Sequence, residues 1–168
     1  MDFSLSAEKV AQALLGQYLC RRYNDGRVEK HIITEVEAYL GEEDKACHAH
    51  KGKTKRTAVM YGPGGHWYVY LIYGMYYMLN LVTAPLGRPE AVLIRGLRDI
   101  DGPGRLTKQL LIDKSFNGLL TSPKNGLWIE KNKDIKKRKI IRLPRVGVDY
   151  AEEWKDKLLR FKLVGYTV

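Results

Sequence analysis

Cysteine is nearly absent. Cys20 and Cys47 are the only two in 168 residues, and no CxxC pair occurs. That count argues against a disulfide framework and a cysteine-rich zinc site, and it fits a reducing cytosol. Long apolar runs are missing as well. The most apolar stretch, Tyr68 to Val82, has fifteen residues and includes five tyrosines, Gly74 and Asn80, too short and too polar to span a bilayer. Met1 to Ser6 has no basic segment leading into an apolar one, so no secretory leader is expected and the chain reads as cytoplasmic. Neither a Walker loop nor a GxGxxG fingerprint is present, so no nucleotide cofactor has a signature. There is no internal repeat and no low-complexity linker. Acidic residues are in short supply, 19 against 29 Lys and Arg, for a net charge of +10. A surplus of that size favours a polyanionic partner, because each phosphate neutralised releases a condensed counterion. The alternatives are a merely soluble basic protein and one bound to anionic lipid, and no long basic amphipathic helix supports the second.

What is present suits one domain over residues 1–168, with 45% hydrophobic and 29% charged residues. Val10, Ala11, Leu14 and Leu15 form one stripe of a helix over Ala7 to Leu15, which Gly16 stops. Gln17 to Arg22 and Val28 to Tyr39 read as strands joined by the turn signal Asn24-Asp25-Gly26. Alternation on the second strand puts Ile33, Glu35, Glu37 and Tyr39 on one face. Gly41 to Thr57 reads as a polar, basic surface loop or short helix. His66 to Ile72 and Tyr76 to Val82 read as a hairpin around Tyr73-Gly74-Met75, followed by a buried strand over Ala91 to Leu97. A helix is expected over Arg105 to Ile112, late strands over Leu127 to Glu130 and Lys139 to Leu143, and a short helix within Ala151 to Leu159. Neighbouring strands with peripheral helices argue for an α+β fold on a largely antiparallel sheet.

Glu37 leads the residues able to carry chemistry. It shares a strand face with Tyr39, so a carboxylate and an aromatic ring point into one space, and partial burial would suit it to general-base work. On the residues alone, an exposed strand carboxylate or one paired with a lysine is the more ordinary reading. Cys47, His48 and His50 are the one cluster resembling metal ligands, but no later Pro-Cys-x-x-Cys completes a deaminase-type site, so no metal and no cofactor are expected. In the tyrosine-rich segment Trp67 to Asn80, most apolar residues read as core. Tyr73 beside Gly74 at a hairpin tip has little to pack on, and aromatics next to basic loops are used to stack on or wedge between bases. Gly102-Pro103-Gly104-Arg105 can offer an arginine to phosphate, or be a bare loop and cap. Lys131 to Arg145 holds eight basic residues against Asp134 alone.

Taken together, Glu35-Val36-Glu37-Ala38-Tyr39-Leu40-Gly41 with Asp44 and His48, Tyr68-Val69-Tyr70-Leu71-Ile72-Tyr73-Gly74-Met75-Tyr76 with Asn80, Val92-Leu93-Ile94-Arg95, Gly102 to Leu106 and Arg145-Val146-Gly147-Val148 resemble the alkyladenine (3-methyladenine) DNA glycosylase family, in family order from Ser6 to Gly165. The resemblance implies a single α+β domain with a curved sheet and a protruding hairpin. It also implies a monofunctional enzyme that flips alkylated or deaminated purines out of duplex DNA and hydrolyses the N-glycosidic bond; a monomer is the simpler expectation for a chain that must embrace a duplex. The candidate substrates are 3-methyladenine, 7-methylguanine, hypoxanthine and ethenoadenine. Carried over by motif, Glu37 is the base that activates water, held with Arg95 and the Val146 carbonyl. Tyr39, His48 and Tyr70 stack on the flipped base, and Asn80 sits at the pocket edge. Tyr73 fills the gap left in the duplex, with Met75 beside it and Arg105 on the DNA. Thr57, where the family often shows Asn, and Leu158, where a proline is common, depart from the pattern. A non-catalytic nucleic-acid-binding module on the same scaffold is the competing reading.

Overall fold

The longest strand decides the arrangement. The computed structural model describes residues 1–135 and 139–164. Helix α1 (Ala7–Leu14) precedes β1 (Tyr18–Arg22) and the twelve-residue β2 (Val28–Tyr39). Then follow β3 (Trp67–Ile72), β4 (Tyr76–Thr83), β5 (Glu90–Leu97), the two-residue β6 (Ile100–Asp101) and α2 (Pro103–Gln109). The chain continues through β7 (Leu127–Glu130), β8 (Lys139–Leu143) and β9 (Arg160–Val164). The strands lie in the order β3-β4-β5-β2-β1-β7, with β6 on β5, β9 on β2 and β8 on β9, and each of these pairings is antiparallel. The sheet is curled into a half-barrel, with β2 paired on both edges. β5 runs along one edge of β2. On the other edge β1 pairs with the first part of the strand and β9 with Glu35, Val36 and Glu37. The fold is α+β, as the strand pattern predicts.

Strict alternation sorts the residues between two faces. Val36, Ala38, Trp67, Val69, Leu79, Leu81, Val92 and Ile94 join the main core under α1 and α2. Their immediate neighbours Glu37, Tyr39, Tyr68, Tyr70, Asn80, Leu93 and Arg95 line a cavity on the opposite face. Ile33 breaks the expected pattern: it sits in the main core with Val36 and Ala38, not beside Glu37. The register between β2 and β5 shifts on both sides of Glu35, opposite Gly96: one extra residue falls on β2 at Thr34 and one on β5 at Arg95, so each strand changes face once and Ile33 joins Val36. Gly96 permits the irregularity, since a Cβ there would lie 3.3 Å from the Glu35 Cβ.

Other expectations need correction. Gly41 to Thr57 is no loose surface loop. It runs through 3₁₀ turns at Gly41–Glu43 and His48–Lys51, with a third at Ala58–Tyr61 just beyond, and it buries Asp44, Ala46, Cys47, Ala49 and Thr57. Small and apolar side chains between the polar ones let it pack as a cover on the second face, against Tyr68, Val82 and Ala91. Helix α2 begins at Pro103, not Arg105, because proline at a first-turn position loses no hydrogen bond and Gly102 supplies the φ of 96° before it. Within Ala151 to Leu159 only a 3₁₀ turn forms, Glu152–Trp154. β9 escapes sequence reading altogether, since Arg160, Lys162 and the short length hide the buried Phe161 and Leu163. Residues 136–138 of the basic run and Gly165, the end of the family resemblance, lie outside the described residues.

The β3–β4 hairpin closes with a hydrogen bond from Met75 N–H to the Ile72 carbonyl, 3.1 Å, and φ of 50° and 68° at Tyr73 and Gly74. This is the I′-like turn that matches strand twist. A left-handed φ is unusual for an aromatic residue and holds the Tyr73 ring off the sheet, 88% exposed. Helix α2 supports the hairpin base, where a Cβ on Gly104 would meet the Tyr76 ring at 2.8 Å and its Cβ at 3.1 Å. Gly104→Ala is therefore expected to destabilise the protein by about 1–3 kcal/mol in urea unfolding, by forcing the hairpin and helix apart. An unchanged midpoint would show that Tyr76 swings away freely.

Candidate active site

A cavity of about 610 Å³ opens between the second sheet face, the 46–60 cover, the hairpin and the 146–150 segment. Glu37 forms its floor and is wholly buried. One carboxylate oxygen accepts from the Val146 N–H at 2.8 Å and faces Arg95 Nη1 at 3.3 Å; the other accepts from the Tyr39 hydroxyl at 2.9 Å. Burial raises the Glu37 pKa above the ordinary glutamate range, against the opposing pull of Arg95, the Val146 amide, the Tyr39 hydroxyl and Arg145. Burial and the Glu37 charge push the Tyr39 phenol well up, so that it remains a donor.

Arg95 is shared. Its Nε donates to Glu35 at 3.2 Å, and Glu35 also receives Arg160 at 3.0 Å and Lys162 at 3.3 Å. Burial alone would raise the Glu35 pKa; hydrogen bonding from Arg160 and the charges of Lys162 and Arg95 outweigh it and hold the carboxyl below its usual value. Neighbouring carboxylates two residues apart thus receive opposite treatment, and only Glu37 is tuned towards proton affinity.

The walls are aromatic. His48 and Tyr70 have ring centroids 4.4 Å apart, Tyr68 and Tyr70 5.2 Å, and His48 Nδ1 meets the Tyr68 hydroxyl at 3.0 Å. Arg56 places its guanidinium 5.0 Å from the Tyr70 ring centre. Burial, and secondarily the Arg56 charge, push the His48 pKa down to about 4, so the imidazole is neutral at physiological pH. Asn80 is buried and donates Nδ2 to the carbonyls of Tyr68 at 3.2 Å and Met78 at 3.4 Å. A flat, electron-rich slot with one buried carboxylate can hold an aromatic, even cationic, ring and deprotonate a water beside it. Cys47 is a buried small side chain with its thiol pushed up to about 11, and His50 donates to the Glu42 carbonyl at 2.7 Å. Among the described residues no cluster of three His, Cys, Asp or Glu is arranged to hold a metal. Nor is any described helix long and apolar enough to cross a membrane.

The methylpurine-DNA glycosylase family profile matches residues 1–101 and 97–167. The chain belongs to the methylpurine-DNA glycosylase family. Relatives in Legionella pneumophila (strain Lens), Methanocella arvoryzae and Psychrobacter cryohalolentis, each named "Putative 3-methyladenine DNA glycosylase", are 51%, 45% and 41% identical over 162, 165 and 182 residues. The alignments cover 90%, 86% and 90% of this chain, and 86%, 81% and 84% of the relatives.

In this glycosylase family member the fold gathers Glu37, Tyr39, His48, Tyr70, Asn80, Arg95 and Val146 around one cavity, although they span 110 positions of the chain. Val146 also donates its N–H to Glu37, a contact that the motif carry-over does not include. Tyr73 reaches the cavity rim, whereas exposed Met75 and Arg105 lie outside the lining. Sequence reasoning passed over Tyr68, Arg56, Asp44 and Arg145 as site residues. Tyr68, Asp44 and Arg145 stand inside the motifs that carry the resemblance, which was the available signal. Arg56 was hidden in a loop of like charges.

His48 yields a test. The unfolded chain takes up its proton near the ordinary value of 6.5 and the folded chain only at about 4, so the stabilising contribution is complete above that window and is lost as pH falls through it. An NMR titration of wild type is expected to place the His48 midpoint near 4. His48→Gln is expected to lose less Tm than wild type on acidification across the window. A midpoint at the ordinary histidine value would contradict the burial argument.

Proposed function

We propose that this DNA glycosylase acts on 3-methyladenine in duplex DNA, flips the damaged nucleotide into the cavity and hydrolyses its N-glycosidic bond, leaving an abasic site. The observation that carries the reading is Glu37: a buried carboxylate with raised proton affinity on the floor of an aromatic slot. A non-catalytic binding module has no use for that arrangement. Water held by Glu37 attacks C1′ and gives up a proton to the carboxylate. The C1′–N bond breaks with its electron pair on the base. A cationic alkylpurine thereby leaves as a neutral molecule without further protonation. The ionised carboxylate also opposes the positive charge growing on the sugar.

Tyr39, His48 and Tyr70 enclose the extruded ring. A neutral His48 suits a cationic purine, which an imidazolium would repel. Asn80, fixed by two carbonyls, forms the edge against which the exocyclic amino group of guanine clashes. 7-Methylguanine shares the cationic ring; hypoxanthine and ethenoadenine are neutral and require protonation of the leaving base. Tyr73 on its strained turn enters the vacated stack, with Met75 beside it and Arg105 on phosphate. Flipping costs a few kcal/mol, and restored stacking offsets part of it. The protein works as a monomer, without cofactor and without a lyase step.

Single-turnover base release from methylated duplex, with strand breaks scored after alkali, tests this reading. Glu37→Gln is expected to keep duplex affinity and lose release by roughly 10³-fold or more. Wild-type rates in that variant would end the mechanism. Because Glu37 must be ionised, the wild-type rate should fall with acid along a limb lying above the ordinary glutamate range. Tyr73→Ser is expected to slow release from duplex by roughly tenfold with an unchanged melting temperature. Equal rates would remove the wedge.

A further inference from the structure

The edge of β2 that β9 covers is incompletely paired by main chain. Pairing with β9 ends at Glu37 opposite Arg160, and the Ala38 N–H still reaches the Leu159 carbonyl at 2.8 Å. The next two groups on that edge go to side chains. The Ala38 carbonyl accepts from Arg145 Nη1 at 3.0 Å, and the Leu40 N–H donates to Asp44 Oδ2 at 3.0 Å. Arg145 and Asp44 also grip each other by two hydrogen bonds, at 2.5 and 2.8 Å, with both side chains wholly buried. An ion pair thus occupies the place of the missing strand.

Three parts of the cavity meet at this pair. The Arg145 guanidinium lies 4.7 Å from the centre of the Tyr39 ring. The peptide that follows Arg145 presents the Val146 N–H to Glu37. Asp44 Oδ1 holds the Ala46 N–H at 3.0 Å, two residues before His48. Burying two charges is a poor route to stability, since desolvation consumes most of the Coulomb gain. We propose that Asp44 and Arg145 form a positioning unit, one that keeps β2 extended through Tyr39 and sets the charge seen by Glu37. This rests on the reading of Glu37 as the base.

The charge argument has a sign. Glu37 faces Arg95 from β5, the Tyr39 hydroxyl on its own strand, Tyr70 from β3, and Arg145, the Val146 amide and Tyr150 from the 145–150 segment. Arg145 lowers the proton affinity of Glu37, and Asp44 neutralises Arg145. Removing the arginine's charge therefore raises the Glu37 pKa, and removing the aspartate's charge lowers it. Loosened packing alone has no reason to move the two in opposite directions.

The test compares full-length Arg145→Gln, Asp44→Asn, Arg145→Lys and Glu37→Gln with wild type. The readouts are the pH profile of single-turnover base release from methylated duplex and the affinity for a duplex carrying a stable abasic-site analogue. Circular dichroism gives the folded fraction of each variant across the same pH range, and rates are corrected for it, so partly unfolded variants remain informative. The limb is expected to move up by about 0.5 unit or more in Arg145→Gln and down by a similar amount in Asp44→Asn. Arg145→Lys keeps the charge but not the planar fork, so its limb stays in place. Its plateau rate falls roughly 10- to 100-fold with abasic-duplex affinity within about threefold of wild type. Limbs that stay put or move together, or a wild-type plateau in Arg145→Lys, would overturn the positioning role. Lost release in Glu37→Gln with immobile limbs sinks this inference alone; retained release there sinks the base assignment first.

Discussion

One carboxylate, buried away from bulk solvent among charged and polar partners, sets the terms for the rest of the molecule. An unpaired charge at the position of Glu37 would cost several kcal/mol or simply protonate. The fold answers with partners drawn from every side: a guanidinium from β5, a phenol from the same strand and a main-chain amide from the 146 turn. These partners oppose burial without cancelling it, so the pKa stays raised. A stronger cationic setting, such as Arg95, Arg160 and Lys162 give Glu35, would produce an anion with little appetite for a proton. Sharing Arg95 between the two carboxylates keeps the second from receiving what the first does.

That arrangement needs a sheet buried on both faces. One face packs on α1 and α2; the other is covered by the 41–61 segment, whose small buried residues leave room for the cavity. Residues adjacent in β2, β3, β4 and β5 therefore alternate between core and site. The double register shift at Glu35 and Gly96 is what brings Ile33 and Val36 to the same side, while plain alternation keeps Glu35 and Glu37 together toward Arg95. The curl of the sheet, the cover and the exposed hairpin then present the slot and the Tyr73 tip on one reachable rim.

Legibility followed the range of the interactions. The pairing of Glu37 with Tyr39, the hairpin around Tyr73-Gly74 and the stripe of α1 all rest on contacts a few residues apart, and each is visible in the order of residues alone. β9 and the compact 41–61 cover rest on partners far along the chain. Their polar composition conceals that Phe161, Leu163, Asp44 and Cys47 end up inside. Arg145, 101 residues from Asp44, sits in a basic run that reads as a solvated face, yet it is the most deeply buried cation described near the site.

By itself the sequence determined the local geometry: which residues alternate, where the chain turns, and that the surplus of positive charge seeks a polyanion. It also carried the motifs by which the family is known. Only the tertiary structure decided what those residues are chemically. Proton affinity, a neutral histidine and an ion pair standing in for a strand depend on desolvation and on charges a few ångströms away, and the chain brings those together only by folding.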